Sequence, residues 1–458
     1  MVYYTIDKSI VVLLILLLFA ILVAIFFSSK SAKVPALGLT VIYFYGFVSN
    51  NVPGASLLLI DWYEYLPKYQ TYTGFLTSTI GAVAFALGAA VVHLFSRLDQ
   101  TEMKKATIDE DTSTNIENFA LVLLGMSILA NIAILFVGGI ASISAIVSAL
   151  TLLSTIACYI WIWLGNINFK SKIGLLFCLI VYPLYMLIGG GFLGFGITFI
   201  SSLAIFYVLQ RRTNAAVIVI LPLAAFLAFS FSISYLVVRT EFRSVVWESA
   251  SLGDRFEALD RLVDQFELFD TDNIEHLRMV DIRMNQNWLV GVAVESVETG
   301  RTEISYGQSL LVAAVAWIPR AIWADKPVSA GSGNLVSDIT GLEFDKQTSI
   351  GASHWLELYA NFGIWGMTIG MFLLGVFIRF LDLGAGRALR QANIGKFVFM
   401  AFLGSAFLNT LGSFSESISA FAANTLAATV VLYVLNQRFP SLVSRNGSKN
   451  IGRLSHST

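Results

Sequence analysis

Charge is what this chain has least of. Only 13% of its 458 residues are charged, 56% are hydrophobic and the mean hydropathy is +0.74, whereas a soluble domain carries about 25% charge. That balance excludes a soluble globular enzyme. A basic surplus is missing too: 29 Lys+Arg stand against 30 Asp+Glu, for a net charge of −1. With no excess of cations to neutralise a phosphate backbone, nucleic acid is excluded as a partner. Cysteine is reduced to Cys158 and Cys178, both inside apolar runs, and the four histidines are scattered. Neither a disulfide framework nor a metal site is indicated, and no cofactor is expected.

Long apolar runs are what the sequence has instead. A membrane-spanning helix needs roughly 17 to 25 mostly apolar residues. Eleven stretches meet that rule, near 10–27, 34–50, 74–95, 119–137, 143–164, 173–190, 191–209, 214–237, 354–379, 397–414 and 417–436. The expected fold class is therefore an all-α integral membrane protein with about eleven transmembrane helices. The first stretch is long for a signal-peptide core and is followed by Ser-Ser-Lys rather than a small-residue cleavage site, so it reads as an uncleaved span. Lys30 and Lys33 follow it and only Lys8 precedes it. Cytoplasmic loops are rich in Lys and Arg, which puts the N-terminus outside and the C-terminus in the cytoplasm.

Carried along the chain, that orientation places Arg97, Lys104, Lys105, Lys170, Lys172, Arg211, Arg212, Arg379, Arg387, Arg390, Lys396 and Arg438 on the cytoplasmic side, while the short outer loops are nearly free of bases. The expected organisation is an N-terminal bundle of about eight spans (1–237), a large external loop (238–352), a C-terminal bundle of about three spans (353–436) and a cytoplasmic tail (437–458). The loop holds 10 Lys+Arg and 18 Asp+Glu; a long loop is translocated whatever its charge, so these bases do not oppose the orientation.

Within the loop, Phe256, Leu259, Leu262, Val263 and Phe266 recur at helical spacing among charged residues, which predicts an amphipathic helix lying on the bundle. The apolar run Leu310 to Ile318 is too short to span and is expected to dip into the membrane interface and return. It leads into Trp317-Ile318-Pro319-Arg320-Ala321-Ile322-Trp323-Ala324-Asp325-Lys326-Pro327. Arg320 and Lys326 there either meet a lipid phosphate or merely snorkel to headgroups beside the two tryptophans. At the mouth of the ninth stretch His354, Glu357 and Asn361 fall at i, i+3 and i+7, on one helical face. An ionisable residue at such depth is a functional candidate, although Glu357 could simply pair with an arginine. Arg239 and Arg243 share a face just past the eighth stretch, with Glu241 and Glu248 available to neutralise them. Arg278 and Arg283 lie beside Glu275 and Asp281, and Glu416 sits near the turn between the last two stretches.

The string IPRAIWADKP (318–327), the Gly-rich segment after it and HWLELYANFGIWG (354–366) together resemble the bacterial O-antigen or oligosaccharide repeat-unit polymerases of the Wzy type. The many-span plan with one large outer loop is similar too. The resemblance is specific over about 300–370 and architectural elsewhere. It implies a metal-independent glycosyltransferase in the bacterial inner membrane, with undecaprenyl-pyrophosphate-linked oligosaccharide and the bilayer as partners. It leaves a polysaccharide chain-length regulator open as a further partner. The growing glycan would pass from its lipid pyrophosphate to the non-reducing end of a new lipid-linked unit. Preorganised cations would stabilise the departing pyrophosphate, with Arg320, Lys326, Arg239 and Arg243 as the clamp and Arg278 as a weaker candidate. Glu357 or His354 would take the proton of the incoming hydroxyl, and Trp355, Tyr359 and Asn361 would grip the acceptor sugar. An O-antigen ligase, with His276 or His354 as its histidine, shares this plan. A flippase for the same lipid-linked units is the alternative of another class; it is opposed by the near absence of ionisable residues inside the first eight spans.

Overall fold

The computed structural model describes residues 6–30, 36–98, 106, 108–137, 141–211, 215–247, 251–318, 322–323, 325–326, 332–344 and 350–443. Arg320, Glu248 and the tail beyond 443 lie outside the described residues. The described chain is helical throughout, without a strand. Its first half comprises α1 (Lys8–Ser29), α2 (Leu39–Ser56), α3 (Lys68–Leu98), α4 (Glu110–Val137), α5 (Ala141–Leu150), α6 (Leu153–Leu164), α7 (Phe169–Gly190), α8 (Leu193–Gln210) and α9 (Ala215–Trp247). The stretch expected to be a loop holds α10 (Leu252–Asp264), α11 (Ile274–Arg283), α12 (Gln286–Glu298), α13 (Gln308–Val315) and α14 (Ser332–Thr340). The chain closes with α15 (His354–Arg390), α16 (Ile394–Ser405), α17 (Phe414–Arg438) and α18 (Pro440–Val443).

Nine of the described helices are long and apolar enough to cross a membrane. On α1 only Val11, Leu18, Ile25 and Ser29 are buried, while Leu13, Leu16 and Phe27 are each at least 60% exposed. A helix that hides one narrow stripe and bares leucine and phenylalanine elsewhere needs an apolar solvent, and this is the physical content of calling the chain a membrane protein. The stretch at 34–50 becomes α2, which is shielded by protein along most of its length. The one at 397–414 does not become a span. It folds as the 12-residue α16, followed by buried, non-helical residues around Ala406, Phe407, Thr410 and Ser413. Twelve residues reach only about 18 Å, and irregular backbone at depth is tolerated where protein encloses it.

Hydrogen bonds at the helix ends give the bundle two faces. On one, the Lys8 ammonium donates to Asp61 and to Leu59 O, and Gly54 N donates to Met284 O. On the other, Arg379 of α15 donates to Ser29 at the end of α1 (2.7 Å) and lies 3.0 Å from His93 Nδ1 of α3. Beside it Asp382 accepts from the N–H groups of Gly38, Leu39 and Thr40 that open α2. A buried carboxylate at a helix start and a buried guanidinium beside it satisfy each other and tie four helices together.

The core runs along α3 and α15, whose backbones touch. A Cβ on Gly88 would strike Phe372 O and one on Gly375 would strike Phe85 O, so only glycine permits this approach. Helix α12 is the element the sequence pattern hid. It was expected in the outer loop, yet Asn287, Val290, Ala293 and Ser296 are fully buried where it packs against the first turns of α3. The expected helix does form as α10, started by a Ser251–Asp254 capping box, but it buries a different face: Ala258 and Leu262 pack beside Tyr235, Phe242 and Val246 of α9, while Phe256, Val263 and Phe266 are exposed.

Candidate functional site

The first half of the site forms where α15 begins. Ser353 caps the helix with φ +44°, held by Ser353 N donating to Leu411 O and by Gln286 Nε2 donating to Gly351 O. Nine residues after Ser353 the helix breaks: Phe362 leaves helical geometry and Gly363 takes φ +64°, ψ −159°, a region open only to glycine. His354 to Asn361 is thus a short separate helix with His354, Trp355, Glu357 and Asn361 all buried.

Within it Glu357 has no exposed surface. Its Oε1 accepts from Ser309 Oγ of α13 at 2.7 Å and its Oε2 from Phe414 N, the first N–H of α17, at 2.7 Å. The positive end of α17 therefore faces this carboxylate. Asn361 Nδ2 donates to Ser309 Oγ and to Glu357 O, both at 2.7 Å, while its Oδ1 is buried with no partner among the described residues. Glu416 caps α17 through Ser413, near enough to Glu357 for their charges to oppose each other.

The shared face predicted for 354, 357 and 361 therefore divides. Glu357 and Asn361 meet at Ser309, whereas His354 turns to Ser417 Oγ (2.8 Å) and Tyr43 Oη (3.1 Å) and packs on Phe414. Both its ring nitrogens are occupied, and a neutral imidazole between two hydroxyls is fully satisfied. Trp355 is fully buried edge-on to Phe47 (4.7 Å) and Tyr359 is nearly so, so neither ring face is open to a sugar as the sequence led one to expect. Nor does Lys326 project outward: its ammonium donates to Ala316 O (2.7 Å) and Ile318 O (2.6 Å) and closes the end of α13.

The second half is an arginine cluster at the end of α9. Arg239 lies near the Tyr235 hydroxyl and is repelled by Arg283 and Arg243. Arg243 Nε donates to Gly191 O at 2.9 Å, and its guanidinium lies 4.5 Å from the Phe192 ring and 5.1 Å from that of Trp247. Burial and the Arg243 charge hold the Arg283 guanidinium below its usual pKa. Among the described residues no carboxylate is within ion-pair distance of these three. Glu241, available to neutralise them on sequence grounds, pairs with Arg261 at 3.2 Å. Asp281 turns to Tyr63 Oη, Leu66 N and Asn285 Nδ2, and burial pushes its carboxyl up. Arg278 stays apart, over the Tyr65 ring (4.8 Å) and 3.7 Å from Glu275. His276 is also engaged, with Nδ1 accepting from Asp270 N and Nε2 3.5 Å from Glu267.

The two halves share one face of the bundle. Three residues after Arg283, a reach of at most about 11 Å, Gln286 bonds to Gly351 O and to Ser353 Oγ beside His354. Sequence spacing named Arg239, Arg243, Glu357 and Asn361. It passed over Ser309, which carries no motif, and it ranked Arg283 low because Asp281 stands two residues away.

Residues 70–420 match the family described as a domain of unknown function, DUF8712, and with more than half its length matched the chain belongs to that family. No curated protein and no solved structure matches the chain.

Proposed function

We propose that this member of the DUF8712 family is a membrane polysaccharide polymerase of the O-antigen type. It transfers a growing glycan from undecaprenyl pyrophosphate to the non-reducing end of a new lipid-linked repeat unit, at the outer face of a bacterial inner membrane. The observation that carries the reading is the cluster of Arg239, Arg243 and Arg283, which repel one another with no described carboxylate within ion-pair distance. Gathering like charges costs free energy that an anionic ligand of high charge recovers, and guanidinium forks match phosphate oxygens. Lipid-linked pyrophosphate is such a ligand.

In this reaction the acceptor hydroxyl oxygen attacks the anomeric carbon of the donor. The bond from that carbon to the pyrophosphate oxygen breaks, and its electron pair leaves with the pyrophosphate, where the arginines stabilise the added charge. Glu357 receives the hydroxyl proton. It is preferred to His354, whose two nitrogens are both occupied. Arg320 remains a member of the clamp on sequence grounds.

A transporter for the same lipid-linked units is the second reading, favoured by the break in α15 at Phe362 and Gly363, since interrupted helices line the paths of many transporters. The glycan profile of a deletion strain separates the two. Under the polymerase reading the strain shows single repeat units, wild type restores a ladder, and the Arg239→Ala/Arg283→Ala double variant does not. Arg301→Ala, which removes an exposed partner of Glu295, restores it. Unpolymerised units trapped on the cytoplasmic face would establish the transporter instead, and glycan polymer lost from the cell surface but accumulating on its lipid carrier would establish a ligase.

A further inference from the structure

Glu357 has no exposed surface, yet the hydroxyl bonded to its Oε1, that of Ser309, belongs to a partly exposed residue. Ser309 is thus the partly exposed side of that contact. The serine hydroxyl gives its proton to Glu357 Oε1 and accepts from Asn361 Nδ2. Those are the two bonds an incoming sugar hydroxyl needs: a base in line with its proton and a donor that holds its oxygen. Asn361 cannot turn its amide over, because Nδ2 also donates to Glu357 O. Its Oδ1 therefore stays buried, without a donor among the described residues. Buried acceptors are almost always paired, so the pocket lacks one hydroxyl. A carbohydrate offers two on adjacent carbons, one to replace Ser309 and the next to donate to Asn361 Oδ1.

From this arrangement we infer that Glu357 and Asn361 form a seat for a vicinal diol of the carbohydrate acceptor, and that Ser309 is the resident hydroxyl an acceptor displaces. The inference rests on the polymerase reading and adds to it where the acceptor binds and what must move. Helix α13 is built to yield. It has eight residues, no side-chain cap at its start, and Ala313 as its one fully buried side chain. It is entered through Tyr306 at φ +46° and Gly307 at φ +88°, and a helix of two turns has little stability of its own. Lys326, bonded to Ala316 O and Ile318 O, holds its far end. When α13 withdraws, the acceptor hydroxyl meets Glu357 directly and passes its proton there as its oxygen bonds to the donor's anomeric carbon.

The test uses the purified full-length protein in nanodiscs, with lipid-linked repeat units extracted from the deletion strain as both donor and acceptor. Ser309→Ala removes the competing hydroxyl and raises kcat/KM for these units about tenfold, the weight of one hydrogen bond to a charged group. Asn361→Ala lowers it by a similar factor. A tenfold fall with Ser309→Ala would show that the serine works with Glu357 rather than standing in for substrate, and would overturn the diol seat while leaving the polymerase reading intact. If wild-type protein makes no polymer from the extract, the polymerase reading falls and the seat falls with it.

Discussion

A carboxylate with no exposed surface is costly unless it is hydrogen-bonded, and among the described residues Glu357 has two donors, Ser309 Oγ and Phe414 N. Among the described residues no cation pairs with it. Glutamine at this position keeps the shape and removes the charge and the basicity. Glu357→Gln is therefore expected to cut polymer formation by about 10²-fold or more, the usual weight of a general base, with protein still present in the membrane. Glu298→Gln, on the exposed end of α12, is expected to be neutral; equal losses from the two would refute the assignment. The arginines were legible at this scale because Arg239 and Arg243 are four apart on a helix. Arg283 ranked below them, since its neighbour Asp281 reads as a partner in sequence and faces Tyr63 in space.

Among the elements, α3 and α15 decide where the site stands, because α15 carries His354 to Asn361 at one end and Arg379 with Asp382 at the other. Their contact depends on Gly88 and Gly375. Valine at Gly88 would drive Cβ into a backbone carbonyl that cannot turn aside, and overpacking of this kind costs about 1–3 kcal/mol. Gly88→Val should lower the thermal midpoint of the detergent-purified protein and weaken activity without altering the arginine cluster; an unchanged midpoint would mean that the two helices separate easily. That α10 is a helix was readable from the spacing of its apolar and charged residues, but which face it buries was not, since Phe256 and Val263 of the expected apolar face are exposed. The burial of α12 was not readable. An apolar stretch of its length looks the same in sequence whether it meets lipid, protein or interface, and only the close fit against α3 distinguishes them.

The whole molecule has two chemical faces. From the break at Gly363 to Arg379, α15 rises roughly 24 Å, which sets the cluster of Arg379, Asp382 and His93 at the opposite end of the helix from Glu357. The orientation expected from the distribution of Lys and Arg would put the face bearing Glu357 outside. That assignment predicts that Gln265→Cys, just past α10, reacts with an impermeant maleimide in intact cells whose other cysteines, Cys158 and Cys178, are buried. Labelling that appears only after lysis would invert the orientation and move the arginine cluster to the cytoplasm.

Composition and apolar run length alone determined that the chain is a helical membrane protein. Those properties report solvent preference, and solvent preference is additive along a sequence. Position on a helix was likewise enough to single out Glu357, Asn361, Arg239 and Arg243. Only the tertiary structure decided which of the named side chains remain open to a ligand. It sealed Trp355 in the core, committed Lys326 to the end of α13 and satisfied both nitrogens of His354, while bringing Arg283 to Arg239 and Ser309 to Glu357. Charge repulsion and hydrogen bonding depend on distances between residues remote in the chain, and those distances exist only once α9 meets α11 and α13 lies against α15 and α17.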